Sequence, residues 1–96
     1  MTYSVISSEE FKKQFDKLDK KSKEIIYSKI QLLKDNPFRY KKIHSKLFSK
    51  VFRVRLNLNK KETRMIYAVL KPKIIIICLL DRKKDYRDLE KYLKRI

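Results

Sequence analysis

Apolar residues along this chain recur first at spacings of three and four and later at a spacing of two. Phe11, Phe15 and Leu18 share one helical face, and Ser7 followed by Glu10 has the form of a capping box, so a helix is predicted over about 7–19. Ser22 reads as the cap of a second helix whose Ile26, Ile30 and Leu33 repeat at the same spacing. Asn36-Pro37 ends that helix, because the residue before a proline avoids the helical region. The two helices form a hairpin. Phe38 to Lys50 mixes basic, hydroxyl and aromatic residues without a period and reads as a loop returning to a sheet.

From Val51 the period becomes two, with Phe52, Val54, Leu56 and Leu58 on one face and Arg53, Arg55 and Asn57 on the other. A polar turn around Asn59, Lys60 and Lys61 leads to a second strand, Thr63 to Leu70, and Lys71-Pro72-Lys73 turns the chain into a third, Ile74 to Leu80. The last two strands are apolar on both faces, so each side of the sheet needs a cover: the helical hairpin on one, another element or a partner on the other. Tyr86, Leu89, Leu93 and Ile96 give a closing helix its apolar stripe, and Tyr3 to Ile6 forms a short first strand. The expected fold is a single α+β domain over 1–96, β-α-α-β-β-β-α, in which the helical hairpin packs on a small antiparallel sheet with a C-terminal helix.

Charge directs this scaffold outward. Lys plus Arg number 27 against 11 acidic residues, a formal net charge of +16 whose self-repulsion a polyanion would offset. Nucleic acid is the expected partner, because each phosphate neutralised releases condensed counterions. A membrane is set aside: no run approaches the roughly 18 apolar residues of a spanning helix, and no amphipathic segment has a purely basic polar face. The N-terminal residues lack the charged start and apolar stretch of a secretory signal, and the single Cys78 cannot form an internal disulfide, so the cytoplasm is the expected location. Cys78 sits in an apolar run with no basic neighbour to activate it and reads as a buried structural thiol. His44 falls in the loop and reads as a surface residue.

Whether the arginines meet depends on strand register. A loop of two or four residues centred on Lys60 and Lys61 sets Arg64 across from Asn57, on the face of Arg53 and Arg55. For Arg82 two turns stay open: a three-residue turn through Pro72 brings it to that face, and a two-residue turn over Pro72 and Lys73 turns it away. A solvated basic strand face is the ordinary alternative to a binding patch.

The helix hairpin, Lys41-Lys42-Ile43, Phe52-Arg53-Val54-Arg55, Arg64-Met65-Ile66-Tyr67, an apolar strand, Asp81-Arg82 and Tyr86 follow one another in an order that resembles the RelE/ParE toxin superfamily over essentially the whole chain. The basic positions match RelE members better than ParE members, and archaeal RelE proteins best. The resemblance implies the toxin of a toxin–antitoxin pair, cutting messenger RNA in the ribosomal A site without metal or cofactor and silenced by an acidic RelB-like antitoxin. The alternative it carries is a ParE-like, non-enzymatic gyrase poison. Residue by residue, it implies that Arg53 and Arg55 hold the RNA backbone near the cleaved bond, with Lys60 and Lys61 as further RNA contacts. Arg64 would stabilise charge on phosphorus, Arg82 would act as general acid or charge stabiliser, and Tyr86 would stack on or orient the substrate. The general base is unassigned, because arginine stays protonated with a pKa above ~12.

Overall fold

The computed structural model describes residues 3–45, 47–81 and 89–94. Within them the order is β1 (Ser4–Ser7), α1 (Glu9–Asp16), α2 (Lys20–Asp35), β2 (Lys41–Ile43), β3 (Val51–Leu58), β4 (Lys61–Leu70), β5 (Lys73–Asp81) and α3 (Leu89–Lys94). This is the expected α+β architecture with one added strand and one parallel pairing in the sheet. The strands make one five-stranded sheet, β1-β5-β4-β3-β2, in which β1 runs parallel to β5 and the other neighbours are antiparallel. The segment read as loop contains β2, which pairs with β3 through Lys41↔Arg53, Lys42↔Phe52 and Ile43↔Val51. Three residues are too few to display a period, so only the partner strand reveals it.

Both helices start earlier or later than the expected caps, by one residue in the first and three in the second. β1 extends through Ser7, so that residue is held as strand, and Ser8 takes the cap with its Oγ accepting from the Phe11 N–H at 3.1 Å. The helix stops at Asp16, where Lys17 caps it, and does not reach 19. The second helix is capped by Asp19, which leaves Ser22 buried inside its first turn. Asp19 is held below the usual carboxylate range by hydrogen bonds from the Ser22 hydroxyl and then the Asn59 amide, whose Nδ2 lies 2.9 Å from Oδ1. That bond ties the start of α2 to the β3–β4 turn.

The turns differ from expectation in ways that set the register. Asn59 and Lys60 both have positive φ, 51° and 65°, so β3 and β4 join through a two-residue turn with left-handed residues at both central positions. The chain contains no glycine, and Asn59 is the natural occupant of that conformation, whereas Lys60 carries its steric cost. Lys61 therefore opens β4, and Arg64 faces Arg55, not Asn57. Lys71 and Pro72 alone join β4 to β5, so neither turn considered for Arg82 is the one formed. Arg82 itself lies outside the described residues, as do Tyr86 and Ile96. The β4–β5 ladder is interrupted between Ile66 and Tyr67, which pair with Cys78 and Ile76 and leave Ile77 as an extra residue.

Each face of the sheet has its own core. Against α1 and α2 lie Phe52, Val54, Leu56, Leu58, Met65, Tyr67 and Ile76, packed with Phe11, Ile26 and Leu33. Burial of each large aliphatic side chain stabilises the fold by about 2 kcal/mol. Phe52 and Tyr67 stack at 5.5 Å, and the Tyr67 hydroxyl donates to the Pro37 carbonyl at 2.6 Å. The other face buries Val51, Ile66, Ala68, Ile77, Cys78 and Leu80 beneath Leu93 of α3, with Phe48 and Tyr92 at its rim. Among the described residues, α3 supplies the second cover anticipated from the two-sided apolar strands.

Cys78 is buried in this second core, and burial, with a smaller contribution from Glu10, pushes its thiol up to about 12. A neutral, enclosed thiol is inert. Iodoacetamide at pH 8 is expected to leave the native protein unmodified by mass spectrometry and to alkylate one thiol after denaturation. Stoichiometric labelling of the native chain would contradict the placement of Cys78.

Candidate nucleic-acid interface

Beside the second core, the same face carries a cluster of cations. Residues directly opposite in a ladder share a face, so the pairs Lys41↔Arg53 and Arg55↔Arg64 bring four basic residues from β2, β3 and β4 onto one surface. Like charges directly across a ladder are destabilising, and here two such pairs occur two residues apart along β3. Glu62, across from Asn57, is the acidic residue set among them; its Oε1 lies 3.7 Å from the Nε of Arg55. The side chains are 33% and 65% exposed, so this loose contact contributes at most about 1 kcal/mol. The cations outnumber it.

The four are not equivalent. Lys41 and Arg55 are exposed, whereas Arg53 and Arg64 are half-buried. Arg64 emerges beside Leu80, its partner in β5, and its Nε is shielded from solvent. Packing around the base of that side chain limits its rotamers, and the lower local dielectric strengthens its field toward an anion.

The residues expected to contact RNA are therefore placed as follows. Arg53, Arg55 and Arg64 come together on the face opposite the helical hairpin. Lys60 is exposed at the turn, and Lys61 pairs with Leu58, which puts it on the helix-facing side of the sheet. There it borders a cleft of about 450 Å³ between the end of α1, the β3–β4 turn and α3, with Lys17, Leu18, Leu58, Thr63 and Tyr92 among its walls. Arg82 and Tyr86 fall outside the described residues. Lys41 is the member that sequence reasoning assigned no role; recognising β2 as a strand was the missing signal. His44 is exposed just beyond β2. Among the described residues no group of three or more His, Cys, Asp or Glu is arranged to hold a metal ion, and no helix is long and apolar enough to cross a membrane.

Neither a protein-family model nor a curated relative matches the sequence. Solved structures do. A mutant of the E. coli toxin RelE in its free state superposes with a TM-score of 0.74 at 15% identity, covering 99% of this chain and 94% of the other. RelE in the intact E. coli RelBE toxin–antitoxin complex gives 0.72 at 16% identity, over 85% and 99% of the two chains. The archaeal RelE–RelB complex from Pyrococcus horikoshii gives 0.64 at 21% identity, over 88% and 100%. These likenesses define the class: an α+β domain whose sheet is flanked by helices, spanning nearly the full length of its structural neighbours. More narrowly, the chain has the RelE-like fold anticipated from its sequence.

Proposed function

We propose that this chain is the toxin of a toxin–antitoxin pair and an endonuclease that cuts messenger RNA in the ribosomal A site. The observation that carries this reading is the convergence of Arg53, Arg55 and Arg64 on the face of the sheet opposite the helical hairpin, in a RelE-like fold. In the reaction, a ribose 2′-oxygen attacks the adjacent phosphorus and the bond to the departing 5′-oxygen breaks, leaving a 2′,3′-cyclic phosphate and a 5′-hydroxyl. The 2′-hydroxyl proton leaves with attack, and the departing oxygen gains one. The pentacoordinate transition state carries extra negative charge, so fixed cations lower its energy more than that of the ground state. Arg64, the embedded cation, is suited to that charge, while Arg53 and Arg55 hold the flanking backbone in line. None of the three can accept the proton. Arg82 as general acid or charge stabiliser and Tyr86 as substrate platform complete the proposal, with Lys60 at the exposed turn as an outer RNA contact; Lys61, on the helix-facing side, is not part of it.

The partner that silences such a protein is an acidic, RelB-like antitoxin, partly disordered when free, drawn to a charge of +16. Structural neighbours crystallised as RelE–RelB complexes support this partner class.

The test is induction of the chain in growing cells, followed by mapping of RNA ends and of DNA breaks. Cuts within translated codons that disappear when translation initiation is blocked are expected. Accumulating DNA breaks with intact messenger RNA would replace this reading by that of a ParE-like gyrase poison.

A further inference from the structure

The two like-charged pairs do more than enlarge a patch; they give it a direction. Arg64 sits on β4, Arg53 and Arg55 on β3, and Lys41 on β2, so the cations step from strand to strand across the sheet. With strands ~4.8 Å apart and ~3.3 Å per residue along them, the Cα of Lys41 lies about 12 Å from that of Arg64. Side chains stand roughly perpendicular to a sheet, so Lys41 and Arg64 address different phosphates while the β3 arginines fill the interval.

We propose that RNA crosses the sheet diagonally over β4, β3 and β2, and that Lys41 holds a backbone phosphate beyond the one undergoing cleavage. This deepens the RNA-cleaving reading and rests on it. The rival account is that β2 is an edge strand, where lysines are common because they discourage edge-to-edge association. That account makes no distinction between Lys41 and its neighbour. The register does: Lys42 is equally an exposed cation of β2, but it pairs with Phe52 and so belongs to the helix-facing side. Sequence-neutral attraction from the net charge treats the two lysines alike, whereas a backbone track on the arginine face uses only Lys41. Lys41 is in this view a positioning residue, since it engages a phosphate that does not react.

Lys41→Met and Lys42→Met remove the same charge from the same strand and keep similar side-chain length, so each serves as the other's control. The probe is a nested set of single-stranded RNA oligonucleotides with a 2′-deoxy ribose at the cleaved step, extended one nucleotide at a time on either side. Binding is followed by fluorescence anisotropy across a salt series. Lys41→Met is expected to weaken binding about fivefold and to reduce the slope of log affinity against log salt by about 0.7, the share of one single-strand phosphate. The effect should appear only once the oligonucleotide extends past the cleaved step on one side; with all-ribose messenger RNA on the ribosome, Lys41→Met should raise the concentration needed for half-maximal cleavage while leaving the single-turnover rate at saturation within about twofold of the parent. Lys42→Met should leave the slope within error of the parent at every length. Equal behaviour of the two variants, with Arg64→Ala still suppressing cleavage, overturns the track and leaves the active site standing. If the parent chain does not cut messenger RNA on the ribosome, the RNA-cleaving reading itself falls, and the track with it.

Discussion

Replacing Arg64 by alanine is expected to slow RNA cleavage by about 100-fold or more in a single-turnover assay, roughly 3 kcal/mol of transition-state stabilisation, with ribosome binding nearly unchanged. The expectation follows from where the residue sits. It is half-buried beside Leu80, its Nε is shielded from solvent, and it stands directly across from Arg55 in the same ladder. A cation so held needs little reorganisation when charge develops on phosphorus, and that separates a catalytic contribution from general attraction. Arg82→Ala is expected to act similarly as part of the same proposal. Lys12 and Lys34 on the helices supply the controls: their removal should weaken binding slightly and leave the rate of the bound complex unchanged. If the Arg64 variant matches the lysine variants in rate, the cluster is a binding patch and no active site.

The second large effect is on stability and comes from Gln14→Ala, with an expected loss of about 2–3 kcal/mol. β1 covers the outer edge of β5 only from Lys73 to Ile76. Beyond it the chain continues the pairing with side chains. The Ser8 N–H donates to the Ile76 carbonyl at 2.9 Å, and the Ser8 hydroxyl donates to the Ile77 carbonyl. Gln14 then completes the edge: its Oε1 accepts from the Leu79 N–H at 2.7 Å, and its Nε2 donates to the Leu79 carbonyl at 2.9 Å. One carboxamide thereby acts as a strand residue and fastens α1 to β5. Its deletion leaves two partly buried backbone groups to find water, each at a cost of about 1 kcal/mol or more. For a domain of this size the midpoint of thermal unfolding should fall by roughly 10 °C or more, measurable by calorimetry. A shift below about 3 °C would mean that solvent replaces the carboxamide freely.

How far this could be read beforehand depended on whether the pattern of side chains carried the information. β3 was legible because Phe52, Val54, Leu56 and Leu58 alternate with Arg53, Arg55 and Asn57, and the helical hairpin because its apolar spacing is regular. β2 was not, since a three-residue strand is defined by its partner. The bulge at Ile77 left no trace because Ile74 to Leu80 is apolar throughout, so a change of face there alters nothing visible. The β3–β4 turn was placed too late because Lys60 is an unusual occupant of a left-handed position. That error moved the partner of Arg64 by two residues, from Asn57 to Arg55, and a shift of two preserves the face. The grouping of the three arginines therefore survived a wrong register, whereas Lys41 could not be grouped at all without its strand. Roles for Arg82 and Tyr86 came from resemblance alone.

The parallel pairing of β1 with β5 also bears on how the molecule comes into being. Ser4 to Ser7 leave the ribosome early, yet their partners Lys73 to Ile76 are added about 70 residues later. At ordinary rates of synthesis, some 5–20 residues per second, β1 waits several seconds for its place in the sheet. Antiparallel β2, β3 and β4 pair with their neighbours in sequence, so the arginine-bearing strands rest on local contacts, while the first core includes Ile74 and Ile76 from far along the chain. Contacts this distant along the chain slow folding. The basic strands are thus joined by contacts local in sequence, whereas the sheet edge at β1 is closed only by a contact that spans most of the described chain.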